Sequence, residues 1–175
     1  MESLMRTLKF PLTKRSIRQI FDYDTGTAAI RFMYDSGASI PVWCSDVDFL
    51  IKAFPDAVKT GLSARITGFG TGVETADVFM IPDFELSDGN EAIHIMNLSI
   101  VVIFKPQIGC DFIMSESMLS KVDTHTLRHS TKELQIDFYK NMFVCTSKKL
   151  GGELLDIAVW MQKDICDGNC SDDRK

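Results

Sequence analysis

Residues 21–39 read FDYDTGTAAIRFMYDSGAS. Two Asp-hydroxyl-Gly triplets, Asp24-Thr25-Gly26 and Asp35-Ser36-Gly37, bracket an apolar, β-prone run at 27–34. Asp, Ser, Thr and Gly are all common turn residues, so either triplet can simply reverse the chain. Their settings differ, however. Asp24 precedes the strand among polar and aromatic neighbours, where a hairpin turn accounts for it. Asp35 follows the strand, where an apolar ladder delivers the chain to a loop, and the small-then-apolar ASIPVW comes next. A carboxylate at the end of a buried strand is held rigidly and partly desolvated, as a tuned acid or base requires. Chemistry is therefore expected at Asp35 and a turn at Asp24.

Composition sets the frame for that site. The 175 residues suffice for one domain with a sizeable core, and 45% hydrophobic with 25% charged residues is a globular profile. A net charge of −5 without a Lys/Arg stripe argues against a nucleic-acid partner. No run approaches the roughly 20 apolar residues that span a bilayer, so no membrane partner is expected. The start, MESLMRTLKFPLTKRSIRQIF, is interrupted by charges and lacks the apolar segment of a signal peptide. Five scattered cysteines (Cys44, Cys110, Cys145, Cys166 and Cys170) suit free thiols in a reducing cytoplasm, the expected location.

Strand signals dominate. LSARITGFGTGVETADVFMIPDFEL (62–86) reads as two strands joined by a glycine-rich turn carrying Gly68, Gly70 and Gly72. IHIMNLSIVVIF (93–104) is long enough for a central strand preceded by a shorter one, and ELQIDFYKNMFVC (133–145) has the shape of a hairpin turning near Lys140-Asn141. One helix is expected from Ser45, an N-cap with Asp48 three residues on, to Pro55, with Val47, Leu50, Ile51 and Phe54 as its apolar stripe. A second is expected over 152–165, with Leu154, Ile157, Ala158, Met161 and Ile165 on one face, before a solvated tail. Short strands with few helices predict a mainly β fold, a closed barrel or a sandwich. The expected divisions are an N-terminal extension (1–20), the barrel (21–145) and a C-terminal helix and tail (146–175), in one domain.

Carboxylate chemistry of this kind works in pairs. Two carboxyls held close share one proton. The ionised member takes a proton from an attacking water while the protonated member donates to the oxygen of the group attacked, and the pair titrates as a unit. The two triplets lie at opposite ends of one strand, which rises about 3.3 Å per residue, so they cannot pair with each other. If Asp35 is catalytic, its partner must be the same residue of a second chain across a two-fold axis.

FMYDSGASIPVW resembles the active-site segment of retropepsin-like aspartic proteases, the retroviral type, and with GFG and CDFIMS it looks especially like the bacterial branch. Two further segments match in order. RITGFGTGVETADVFMIPDFEL resembles the flap hairpin that closes over substrate. LSIVVIFKPQIGCDFIMSESML resembles the late apolar strand, its hydrophobic-Gly turn and a short helical segment. The resemblance spans about residues 27 to 138. It implies a retropepsin-like barrel acting as a homodimeric endopeptidase on a peptide or protein, with no metal and no cofactor. Asp35 would be the catalytic carboxylate, Ser36 would hold the paired loops together, and Gly37 and Ala38 would complete the turn. Ile66, Gly68, Phe69, Gly70 and Gly72 would form the flap, and Ile108-Gly109 the second structural turn. Ser stands at 36 where Thr is commoner, and IGCD departs from the retroviral pattern. The alternative is a non-catalytic peptide-binding or assembly module of the same fold.

Other motifs read more plainly. GFGTG is followed by a strand-like segment and not by the helix a phosphate loop opens, so it is a hairpin tip. His125 and His129, four apart in HTLRH, could take a metal with Cys110 or Asp123, but without a Glu in the zincin position they read as solvated surface histidines. Cys166 and Cys170 read as exposed thiols. Phe69 is either an apolar lid on a peptide or a ring tucked under its own hairpin.

Overall fold

The computed structural model describes residues 5–13, 18–69, 72–120 and 122–139. Their strands are β1 (Met5–Pro11), β2 (Gln19–Asp24), β3 (Ala29–Tyr34), β4 (Val42–Trp43), β5 (Val58–Ile66), β6 (Glu74–Ser87), β7 (Ala92–Val102), β8 (Phe112–Met114), β9 (Thr124–Arg128) and β10 (Glu133–Tyr139). Helix α1 (Val47–Ala53), a 3-10 turn (Pro106–Ile108) and α2 (Glu116–Leu119) interrupt them. Two sheets result, one of seven strands in the order β2-β3-β8-β4-β7-β6-β5 and one of three in the order β1-β10-β9.

The expected closed barrel does not form among these strands. Closure would need the outer strands of the large sheet, β2 and β5, to pair. Instead the small sheet brings its own apolar face to the core. Leu8, Phe10, Leu134, Ile136 and Phe138 alternate inward along β1 and β10 and join one cluster with Phe21, Phe32, Phe84 and Phe112. Phe10 stacks on Phe21 with ring centroids 4.6 Å apart, bridging the two sheets. Residues 5–11, outside the stretch that carries the family resemblance, thus pair fully with β10 and supply core side chains.

At its centre, along β8 and the second half of β7, the large sheet is buried on both faces. Phe112 and Met114 enter the aromatic cluster while Ile113 enters a second, smaller one, and Ile100 and Val101 divide in the same way. This explains why FIM and IVV are continuous apolar runs without polar alternation.

Three local expectations need correction. The segment at 93–104 is one strand, not two. Its irregularity lies at Asn97 (φ 55°), where the ladder skips from Ile81↔Leu98 to Asp83↔Met96, leaving Pro82, which has no N–H to donate, opposite Asn97. Helix α1 is capped by Asp46, whose carboxylate accepts from the Phe49 amide at 2.7 Å, and not by Ser45. Its buried face is Leu50, Ala53 and Phe54, whereas Val47 and Ile51 are 42% and 38% exposed. Trp43 sets that face, because its indole donates to the Asp46 carbonyl at 2.9 Å and its ring packs on Phe49 and Phe54. The turn expected at 140–141, the helix expected over 152–165, Cys145, Cys166 and Cys170 lie outside the described residues. Among the described residues no helix is long and apolar enough to cross a membrane.

Candidate active site

β3 and β4 follow one another in the chain, yet β8 lies between them, parallel to β3 and antiparallel to β4. The intervening loop must therefore cross the end of β8, and Asp35 is its first residue. Four hydrogen bonds hold it there. The Asp35 amide donates to the Met114 carbonyl (3.3 Å), and the Ala38 amide to the Asp35 carbonyl (3.1 Å). The Gly37 amide donates to Asp35 Oδ1 (3.0 Å), and the Glu116 amide to the Ala38 carbonyl (2.9 Å). Gly37 is needed for close approach and not for a left-handed φ, because a Cβ at this position would sit 3.3 Å from Asp35 Oδ1.

Asp35 is half-buried and lines a cavity of about 830 Å³. Met33, Ile40, Val42 and Ile113 give this space an apolar floor, and Ile66, Thr67, Gly68 and Phe69 wall it from the β5 end. Gln107 and Ile108 come from the 3-10 turn, and Arg18 and Gln19 from the start of β2. The Arg18 guanidinium donates to the Ile108 carbonyl, tying these two sides together. Among the described residues, Asp35 is the one carboxylate lining the cavity.

Asp24 sits elsewhere. It ends β2, the Thr25 amide donates to the Ala28 carbonyl (2.9 Å), and Asp24 Oδ1 accepts from the Gly26 amide (2.8 Å) at φ 95°. That is a hairpin turn with an Asp side chain capping it.

The other residues singled out in sequence fall around the cavity to different degrees. Ile66 ends β5 and is buried, and Gly68 (φ 107°) and Gly72 (φ 85°) take conformations that favour glycine. Gly70 lies outside the described residues. Phe69 is half-buried, packed on the second core and lining the cavity, with Lys105 Nζ 5.9 Å from its ring centroid. It is thus tucked and cavity-lining at once. Gly109 (φ 83°) ends the 3-10 turn that carries Ile108 to the cavity. Ala38 packs against the second core. Ser36 is exposed, and its hydroxyl lies beside the Tyr34 phenol.

Three features escaped the sequence reading. Asp111, in the IGCD segment, is 8% exposed and braces the junction beneath the site. Its carboxylate accepts from the Arg31 amide (2.7 Å) and the Ser45 hydroxyl (2.5 Å). Cys44 and Cys110 are buried thiols in the second core. Their mutual hydrogen bond, with burial, pushes Cys44 far up, so it stays a thiol. His125, expected on the surface, has a side chain only 20% exposed, and its Nδ1 lies 2.5 Å from the Tyr34 hydroxyl. Burial raises the Tyr34 pKa, the Ser36 hydroxyl opposes the rise and the Glu116 charge adds to it. His129 is exposed, and among the described residues no group of three or more His, Cys, Asp or Glu is placed to hold a metal.

No protein-family model matches the sequence, and no curated protein matches it. Solved structures do match in fold. A retropepsin-like aspartic protease from Rickettsia conorii superposes with a TM-score of 0.50 at 13% identity, over 77% of this chain and 92% of that one. At that identity the likeness establishes the fold alone, which is mainly β and retropepsin-like.

Proposed function

We propose that this protein is an aspartic endopeptidase whose two catalytic carboxylates, one Asp35 from each of two chains, meet across a homodimer. The observation that carries this reading is Asp35 as the one described carboxylate lining a large apolar-floored cavity, held at the tip of a strand by its loop's own amides. One chain supplies half of an acid–base pair, and a two-fold axis supplies the other half. In the dimer the two carboxyls share a proton. One draws a proton from water as it attacks the scissile carbonyl, while the other protonates the carbonyl oxygen. An extended peptide, lying between the floor and residues 66–69, adds main-chain hydrogen bonds as an extra strand. No covalent intermediate is needed, and a cytoplasmic setting suits the free thiols of Cys44 and Cys110.

The test is hydrolysis of an unbiased peptide library by wild-type protein, Asp35→Asn and Asp24→Asn. Asp35→Asn should abolish cleavage while leaving the dimer folded, and Asp24→Asn should change little, because an amide oxygen can still cap the turn. Turnover should follow a bell-shaped pH profile and fall faster than in proportion on dilution. Equal residual cleavage in both variants refutes the assignment. A wild-type protein that binds a statine-type inhibitor without cleaving any peptide would instead be a binding module.

A further inference from the structure

The Asp35 loop is also tied to the second sheet. Across the three-stranded sheet, Leu8, Ile136 and His125 form one register row and therefore share a face. Leu8 and Ile136 are fully buried, so this is the core face, and His125 stands at its rim on the outer strand β9. A leucine would complete that row, whereas the imidazole brings two nitrogens that both need partners. Nδ1 meets the Tyr34 hydroxyl at 2.5 Å, with the two rings edge-on at 5.5 Å, and Nε2 lies 3.7 Å from Glu116 Oε2.

These two contacts reach the two ends of one loop. Tyr34 immediately precedes Asp35, and the amide of Glu116 is the donor that holds the Ala38 carbonyl at 2.9 Å. Accordingly, we infer that His125 is a positioning residue for Asp35, a two-armed clamp that fixes loop 35–38 against β9 through Tyr34 on one side and Glu116 on the other. The inference rests on the reading of Asp35 as catalytic. In a neutral imidazole, Nδ1 accepts from the Tyr34 hydroxyl and Nε2–H points toward the Glu116 carboxylate. In the charged form both nitrogens donate, the Tyr34 oxygen accepts, and the Glu116 arm becomes an ion pair. The Tyr34 hydrogen bond is available in either form, whereas the Glu116 arm, at 3.7 Å, is an ion pair only when the imidazole is charged.

His125 does not itself line the cavity, so its loss should act on turnover and not on substrate binding. The experiment compares His125→Leu, His125→Gln, Tyr34→Phe and the double variant Tyr34→Phe/His125→Leu. It reads kcat and KM on a cleaved library peptide, together with amide hydrogen exchange at Gly37 and Ala38. Since a 1 Å misplacement can cost about a hundredfold, His125→Leu should lower kcat on the order of tenfold with KM held within about twofold. Gln offers an acceptor and a donor and should recover most of the loss. Losses in the double variant should not add, because both substitutions cut the same arm. The Gly37 and Ala38 amides should exchange roughly tenfold faster while Leu134 and Ile136 stay protected.

Unchanged kcat and unchanged loop exchange in His125→Leu would overturn the clamp. So would additive losses, or exchange that quickens equally at Leu134 and Ile136. If the wild-type protein cleaves nothing, the protease reading falls, and the exchange rates alone then decide whether His125 positions the loop.

Discussion

Alanine at the two triplet glycines should separate a site from a turn. A Cβ on Gly37 would lie 3.3 Å from Asp35 Oδ1 and meet nothing else nearby. The backbone there is not left-handed, so alanine suits the main chain, and the reduced freedom of the unfolded chain should stabilise by about 0.4–1 kcal/mol. The carboxylate must yield by a few tenths of an ångström, which lengthens its 3.0 Å bond from the Gly37 amide. Scaled from about a hundredfold per ångström of misplacement, kcat should fall on the order of three- to tenfold. Gly26 is the reverse case. Nothing lies within 4 Å of a Cβ there, but its φ of 95° strains any residue with a Cβ. A left-handed residue costs about 1–2 kcal/mol, so Gly26→Ala should lower Tm by roughly 2–8 °C with kcat unchanged. The assay pairs thermal unfolding with kcat per active site, titrated by a tight statine-type inhibitor well above the dimer dissociation constant. If Gly26→Ala loses turnover while Gly37→Ala keeps it, the division of roles between the triplets is wrong.

Two further outcomes test the frame around the site. Phe32 is fully buried between the rings of Phe21, Tyr23, Phe84 and Phe112, so Phe32→Ala should cost about 3–5 kcal/mol, seen as a lower denaturation midpoint with an unchanged slope. Burial would raise the Asp137 pKa, but hydrogen bonds from Thr7, Thr124 and Gln135 and the Arg128 charge outweigh it and hold the carboxyl below its usual value. A depressed folded pKa adds stability above the unfolded value that is lost as pH falls through the folded one. Denaturation followed downward from pH 6 should therefore show stability dropping below about pH 4, and Asp137→Asn should flatten that drop.

Features governed by near neighbours were readable from the residues alone. The strand between the triplets, the hairpin arms around Gly68 and Gly72, and the turn role of Asp24 all follow from alternation and turn chemistry within a few positions. Features set by distant partners were not. The stripe of α1 contains two equally apolar faces, and only the docking of Trp43 chose Leu50, Ala53 and Phe54 over Val47 and Ile51. The terminal strand β1 carries too few apolar residues to announce itself until β10 pairs with it. His125 and Asp111 look like ordinary polar residues in loops, and their partners Tyr34 and Arg31 are 91 and 80 positions away.

The sequence by itself determined that a single chain offers two triplets unable to pair, and that only the second ends an apolar strand. Both conclusions depend on strand rise and local polarity, which nearby residues control. Tertiary structure alone decided that β8 slides between β3 and β4, so that Met114 and Glu116 hold the Asp35 loop, and that a second sheet replaces barrel closure. Those arrangements come from burying two cores at once, and which distant strands meet is settled by the packing of the whole chain.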